Sequence, residues 1–262
     1  MIIDLSGKRA LVAGSTKGMG KATALLFSEL GAEIILVARN QDLLDKVKSE
    51  LSVSRGQSHD SICADFSNPD QLNIKVNDFM GEFPPIHILV NNTGGPPPGE
   101  ISKGTTAEFL DGFNKHLICN QILAQSLVAG MKKEKYGRII NIISTSVKQP
   151  IRGLGVSNTI RGAVASWSKT LASEVAPFGI TVNNILPGAT NTERLHSLFN
   201  SMSEKRGVDL EDIKAEWIQE IPAGRIAEPE ETAYAIAFLA SEYAGYINGV
   251  NLPVDGGRLQ CL

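Results

Sequence analysis

Long apolar runs are missing from this sequence. None approaches the roughly 20 residues that a membrane-crossing helix needs, so no contact with a membrane is expected. Cysteine is scarce: Cys63, Cys119 and Cys261 are odd in number, scattered, and match no zinc-binding spacing. That pattern excludes a disulfide framework and a metal centre and points to a reduced, cytoplasmic protein. A charge excess is also absent. The formal net charge of −3 gives no basic surface for nucleic acid. There is no linker, repeat or low-complexity stretch in the 262 residues, and 42% hydrophobic content is enough for a full core. One domain spanning 1–262 is therefore expected. A strand begins almost at once, so no signal peptide is expected.

The chain is organised around Gly14-Ser15-Thr16-Lys17-Gly18-Met19-Gly20. Before it, Arg9–Ala13 is a short run fit for a buried strand. After it, Ala22, Leu25, Leu26, Phe27 and Leu30 recur at helical spacing and end at Gly31. The glycines thus sit on a strand-to-helix turn, where the backbone can bend sharply and come close to a ligand. The free N–H groups and the positive dipole end of the following helix favour phosphate there. With a second strand at Glu33–Ala38, the arrangement reads as a dinucleotide site contacted by Gly14, Ser15, Lys17, Gly18, Met19 and Gly20.

Further strands are expected at Ser58–Ala64, Ile86–Val90, Arg138–Ile143, Thr181–Leu186 and Val250–Val254. Helices are expected at Lys21–Leu30, Asn40–Leu51, Pro69–Phe83, Thr106–Met131, Ser157–Val175 and Glu230–Ser241. Strands alternating with helices give an α/β fold, a doubly wound parallel sheet with helices on both faces. Ligands bind beyond the carboxyl ends of such strands. Gly14, Asp65, Asn91, Ser144 and Pro187 all lie at those ends, so one cleft can collect them. The second strand ends in Ala38-Arg39 with no acid, and Lys17 adds a second cation. An arginine there suits the 2′-phosphate of NADP(H), whereas an acid would select NAD; the alternative is two ordinary surface charges. Asp65 either bonds the adenine amine or caps the helix before Pro69.

Gly14-x-x-x-Gly18-x-Gly20, Asp65, Asn91-Asn92-Thr93-Gly94, Gly137-Arg138-Ile139, Ser144, Pro187-Gly188 with Thr192, and Asp255-Gly256-Gly257 run almost end to end. Together they make the chain resemble the short-chain dehydrogenase/reductase family, most of all its 3-oxoacyl-carrier-protein reductase-like members. The resemblance implies a Rossmann-type fold, a nicotinamide cofactor, here NADP(H), and a homotetramer. It places Asn91 and Thr93 along the adenosine and ribose and Thr192 toward the nicotinamide, with Gly94, Pro187 and Gly188 also contacting the cofactor. The family's active centre is an Asn, a Ser and a Tyr-x-x-x-Lys pair. Ser144 matches the serine. About thirteen residues on stands Ser157 in place of tyrosine, then Arg161 in place of lysine, and His116 falls at the asparagine. No tyrosine lies between Tyr136 and Tyr234.

A serine hydroxyl is a far weaker acid than a tyrosine beside a lysine, and arginine cannot relay a proton by losing one. Ser157 and Arg161 are one helical turn apart and share a face, so they can donate hydrogen bonds to a developing oxyanion. Arg161 can also hold the cofactor ribose. His116, with an unperturbed pKa of about 6.5, is either the acid or a satisfied helix histidine. Lys148 is either a donor or a solvated loop charge. Ser157 could instead cap its helix, and Ser144 could close a strand-end turn. Gly94–Gly99 is a stiff loop beside the cleft. Residues 190–222 read as a substrate lid, with Leu195, Leu198, Phe199 and Trp217 covering an apolar substrate or burying the lid itself. Two functions follow. One is an NADP(H)-dependent oxidoreductase that interconverts a carbonyl and an alcohol on a small-molecule substrate, using Ser144, Ser157, Arg161 and His116. The other is a catalytically weak or inactive NADP(H)-binding sensor or partner subunit.

Overall fold

The structure, a computed structural model, describes residues 2–261, apart from the side chain of Glu82. Seven parallel strands form one sheet: β1 (Arg9–Ala13), β2 (Glu33–Ala38), β3 (Asp60–Cys63), β4 (Ile88–Asn91), β5 (Gly137–Ile142), β6 (Ile180–Pro187) and β7 (Asn251–Val254). Their spatial order is β3-β2-β1-β4-β5-β6-β7. The chain winds outward from β1 to β3, returns to β4, and winds the other way, leaving a crevice between the ends of β1 and β4.

The central strands are largely apolar because both faces of the sheet are covered. Successive side chains of a strand point to opposite faces. Ala10 and Val12 therefore join Phe27 of α1 (Gly18–Glu29), Leu44 and Val47 of α2 (Gln41–Glu50) and Ile236 and Leu239 of α9 (Pro229–Ala240). Leu11 and Ala13 join the opposite core with Leu72 and Val76 of α3 (Pro69–Glu82), Leu123 and Leu127 of α5 (Cys119–Glu134) and Ala172 of α6 (Gly155–Val175).

One row of the sheet is polar. Asn91, Asn141, Asn184 and Asn251 stand in register on β4, β5, β6 and β7. Their amides join side to side: Asn91 Nδ2 donates to Asn141 Oδ1 at 2.8 Å, Asn141 Nδ2 to Asn184 Oδ1 at 2.9 Å, and Asn184 Nδ2 to Asn251 Oδ1 at 2.8 Å. Identical amides at one level of a parallel sheet can satisfy one another, which is how this row tolerates burial.

Two expected elements divide. Thr106–Met131 becomes α4 (Thr106–Phe113), a π-helical turn at Asn114–Ile118, and α5. Residues 190–222 hold α7 (Glu193–Arg206) and α8 (Leu210–Gln219), separated at Gly207, whose φ of +65° ends α7. Leu195, Phe199 and Ile213 pack there in a small core of their own, with Trp217 edge-on to Phe199 at 5.3 Å. Among the described residues no helix is long and apolar enough to cross a membrane, and no cluster of His, Cys, Asp or Glu could hold a metal ion.

Candidate functional site

A cleft of about 400 Å³ opens at the carboxyl ends of the central strands. Of the expected residues, Gly14, Lys17, Gly18, Met19, Thr93, Gly94, Ser144, Ser157, Arg161, Pro187, Gly188 and Thr192 line it. Ser15, Gly20, Arg39, Asp65, Asn91 and His116 do not.

The floor is the glycine turn. Gly14 and Gly18 hold φ of +59° and +52°, conformations that suit glycine. A Cβ on Gly20 would come within 2.2 Å of the Gly14 carbonyl oxygen, so the turn closes only without one. Here α1 begins with no side-chain cap and no acid in its first turn. By contrast, Asn40, Asn68, Thr105, Thr192 and Asp209 cap α2, α3, α4, α7 and α8. The first N–H groups of α1 therefore face the cleft with no side-chain oxygen on them, which fits a dinucleotide's pyrophosphate. Arg39 follows the end of β2, exposed and without an ion pair among the described residues, which fits a 2′-phosphate. Lys17, expected as a second free cation, is tied to Glu193 of α7 at 2.7 Å.

Asp65 does not cap α3; Asn68 does, accepting the Gln71 N–H at 3.1 Å. Asp65 instead accepts the Ser67 N–H at 2.9 Å, and that bond, helped by Arg39 and Lys115, holds its carboxyl below the usual range. Ser15 is buried, its hydroxyl donating to the Val37 carbonyl. Asn91 belongs to the asparagine row, with its Oδ1 buried and unpartnered. Neighbouring Asn92, part of the same motif but given no role of its own, lines the cleft and donates to the Gly14 carbonyl at 3.3 Å.

On the opposite wall Ser144 caps the short turn after β5, its hydroxyl accepting the Ser146 N–H at 3.1 Å. Ser157 is no helix cap, because α6 starts at Gly155. It lies in the first turn with its side chain at the cleft. One turn on, Arg161 is 8% exposed, and its Nη1 donates to the Ile142 carbonyl at 3.1 Å. Burial, then the charge of Arg194, push its pKa down to about 10. It is still cationic at neutral pH.

His116, read as either the acid or a satisfied helix histidine, does not line the cleft. It sits in the π-helical turn, 2% exposed, behind the cleft wall and beside the Gly94 backbone. Burial, and then Arg161, hold its pKa well below the ordinary value, so the ring is neutral at pH 7. A neutral imidazole walled off from the cleft is a poor proton source. Lys148 is exposed on the surface and does not line the cleft.

The lid wall supplies residues that sequence reasoning missed: Glu193, Arg194 and, from the C-terminal segment, Arg258. Arg194 lies four residues before Leu198 on α7, and that spacing was the one available signal. Trp217, on α8, also lines the cleft, and Arg258 lies over its ring at 4.2 Å. None of the four tyrosines lines the cleft.

The family described as enoyl-(acyl carrier protein) reductase matches residues 13–258. A 3-oxoacyl-[acyl-carrier-protein] reductase of Vibrio cholerae is 32% identical over 255 residues, covering 97% of this chain and 98% of that protein. An NADPH-dependent reductase of Bacillus subtilis, BacG, is 27% identical over 98% of this chain and 100% of its own length. The crystal structure of an L-sorbose reductase from Gluconobacter frateurii with NADPH and L-sorbose superposes with a TM-score of 0.93, at 32% identity, covering 100% of both chains.

Proposed function

Because the chain belongs to the short-chain dehydrogenase/reductase family, we propose that it is an NADP(H)-dependent oxidoreductase interconverting a carbonyl and an alcohol, on a 3-oxoacyl-reductase-like scaffold with an altered active centre. One observation carries the reading. A single cleft joins the uncapped start of α1 to Ser144, Ser157 and Arg161 on the facing wall. The NADPH-dependent relatives support the cofactor assignment.

NADPH bound there supplies the hydride. The glycine turn and the first N–H groups of α1 hold its pyrophosphate, and Arg39 its 2′-phosphate. Ser144 and Ser157 donate hydrogen bonds to the carbonyl oxygen. Arg161 places a fixed positive charge beside them in a partly desolvated cleft, where such a charge counts for more than in water. With no tyrosine at the cleft and His116 behind its wall, the oxyanion takes its proton from solvent. The lack of a side-chain acid is also what favours the second reading, a sensor or partner subunit that binds NADP(H) and does little chemistry.

A single-turnover experiment separates the two. Protein loaded with NADPH is mixed with ketones, ketoacyl thioesters and quinones, and nicotinamide absorbance at one equivalent is followed. Rapid loss with one class is expected; tight NADPH binding without oxidation by any class would leave the sensor reading. The same reading takes the protein as a cytoplasmic homotetramer assembled through Thr106–Met131 and Ser157–Val175, that is, α4, the π-helical turn and α5 together with α6. Ile118 and Leu110, exposed on that surface, support it, and a sharp monomer in light scattering at micromolar concentration would rule it out.

A further inference from the structure

Four cations line the cleft, Lys17, Arg161, Arg194 and Arg258, against one carboxylate, Glu193. Glu193 is taken by Lys17 at 2.7 Å, and Arg258 is taken by Glu220 at 2.5 Å. Arg161 and Arg194 are left without a carboxylate partner among the described residues. They converge: the Nη2 atoms of both lie within 4.0 Å of the point where a Cβ on Gly95 would stand. Each is anchored from one side only, Arg161 to the Ile142 carbonyl and Arg194 Nη2 to the Pro96 carbonyl at 2.6 Å. Arg161 Nε is buried with no partner. Arg161 is buried and Arg194 is exposed at the cleft mouth; two like charges held this close, one of them out of water, are costly unless an anion lies between them.

The phosphates of the cofactor are poorly placed to be that anion. Arg161 anchors on β5, which lies two strands, about 10 Å, from β1 and its glycine turn, and further still from Arg39 after β2. Ser144 and Ser157 share the wall with Arg161. On the lid side an apolar stretch of Ile151, Leu154, Leu198 and Trp217 continues into an adjoining cavity of about 580 Å³.

Building on the proposed carbonyl–alcohol activity, we infer that Arg161 and Arg194 form an anion subsite that selects oxo acids with an apolar remainder. Arg194 grips the carboxylate, and Arg161 faces both the carboxylate and the carbonyl oxygen. The reaction balances as 2-oxohexanoate, NADPH and a proton giving 2-hydroxyhexanoate and NADP⁺.

Binding is measured apart from turnover. NADP⁺ cannot reduce a ketone, so the protein saturated with NADP⁺ is titrated with 2-oxohexanoate, 5-oxohexanoate and their methyl esters, read by tryptophan fluorescence. At least one acid is expected to bind on the order of thirtyfold more tightly than its ester. Arg194→Gln should reduce that preference to within about threefold while NADP⁺ affinity stays within twofold, which also shows that the variant is folded. Equal binding of every acid and ester, or an Arg194→Gln protein that loses NADP⁺ affinity as much as acid affinity, overturns the subsite; the second result would assign the pair to the cofactor. Acid-selective binding with no oxidation of NADPH would uphold the subsite and remove the catalytic reading instead.

Discussion

Ser157→Ala is expected to lower kcat by about a hundredfold, as loss of an oxyanion donor can, with little change in NADPH affinity. The hydroxyl lies in the first turn of α6, at the cleft, and does not cap the helix. Its removal therefore costs the transition state a hydrogen bond without unravelling a helix end. Arg161→Lys should be comparably harmful. The guanidinium reaches the Ile142 carbonyl with one nitrogen while presenting others to the cleft, and a compact ammonium cannot do both. Because His116 is buried and its pKa is held well below 6.5, the kcat profile should show no limb near pH 6.5 belonging to it, and His116→Asn should leave the profile's shape alone. Stopped-flow measurements across pH read all three variants. Wild-type kcat in Ser157→Ala, or a limb near pH 6.5 that vanishes in His116→Asn, would sink the fixed-donor account.

The second large effect concerns the cofactor. Arg39→Asp should shift preference from NADPH toward NADH by roughly a hundredfold or more, since it removes a charge-assisted bond and sets a carboxylate against the phosphate. Arg39 is exposed and holds no ion pair among the described residues, so the fold should lose little stability with it. With Lys17 committed to Glu193, Arg39 carries most of this discrimination alone. Fluorescence titration with both nucleotides measures the shift; tighter NADH than NADPH binding by the wild type would remove its premise.

Much of the scaffold was legible from local pattern. Arg9–Ala13 and Glu33–Ala38 are strands with the bounds expected, because the inner residues of a strand covered on both faces form a short apolar run that polar or turn residues bound. The position of the glycine turn followed from the same reasoning, and so did the parallel sheet, since each strand is separated from the next by a helical stretch. Local pattern failed where more than one residue suits a role or where the partner is distant in sequence. Asp65 and Asn68 both suit a helix cap, and only the path of the chain into α3 gave the cap to Asn68. His116 has a helical sequence around it, and nothing local marks the π-helical turn that buries it beneath Gly94. Lys17 meets a carboxylate 176 positions away, and Arg194 crosses to the Pro96 carbonyl from a lid whose inward face depends on how α7 packs over Ala189 and Ile221. Periodicity and turn chemistry act over a few residues and so determined the strands, helices and phosphate turn. The charge balance of the cleft comes from side chains brought together by long-range packing, and only the tertiary structure decided it.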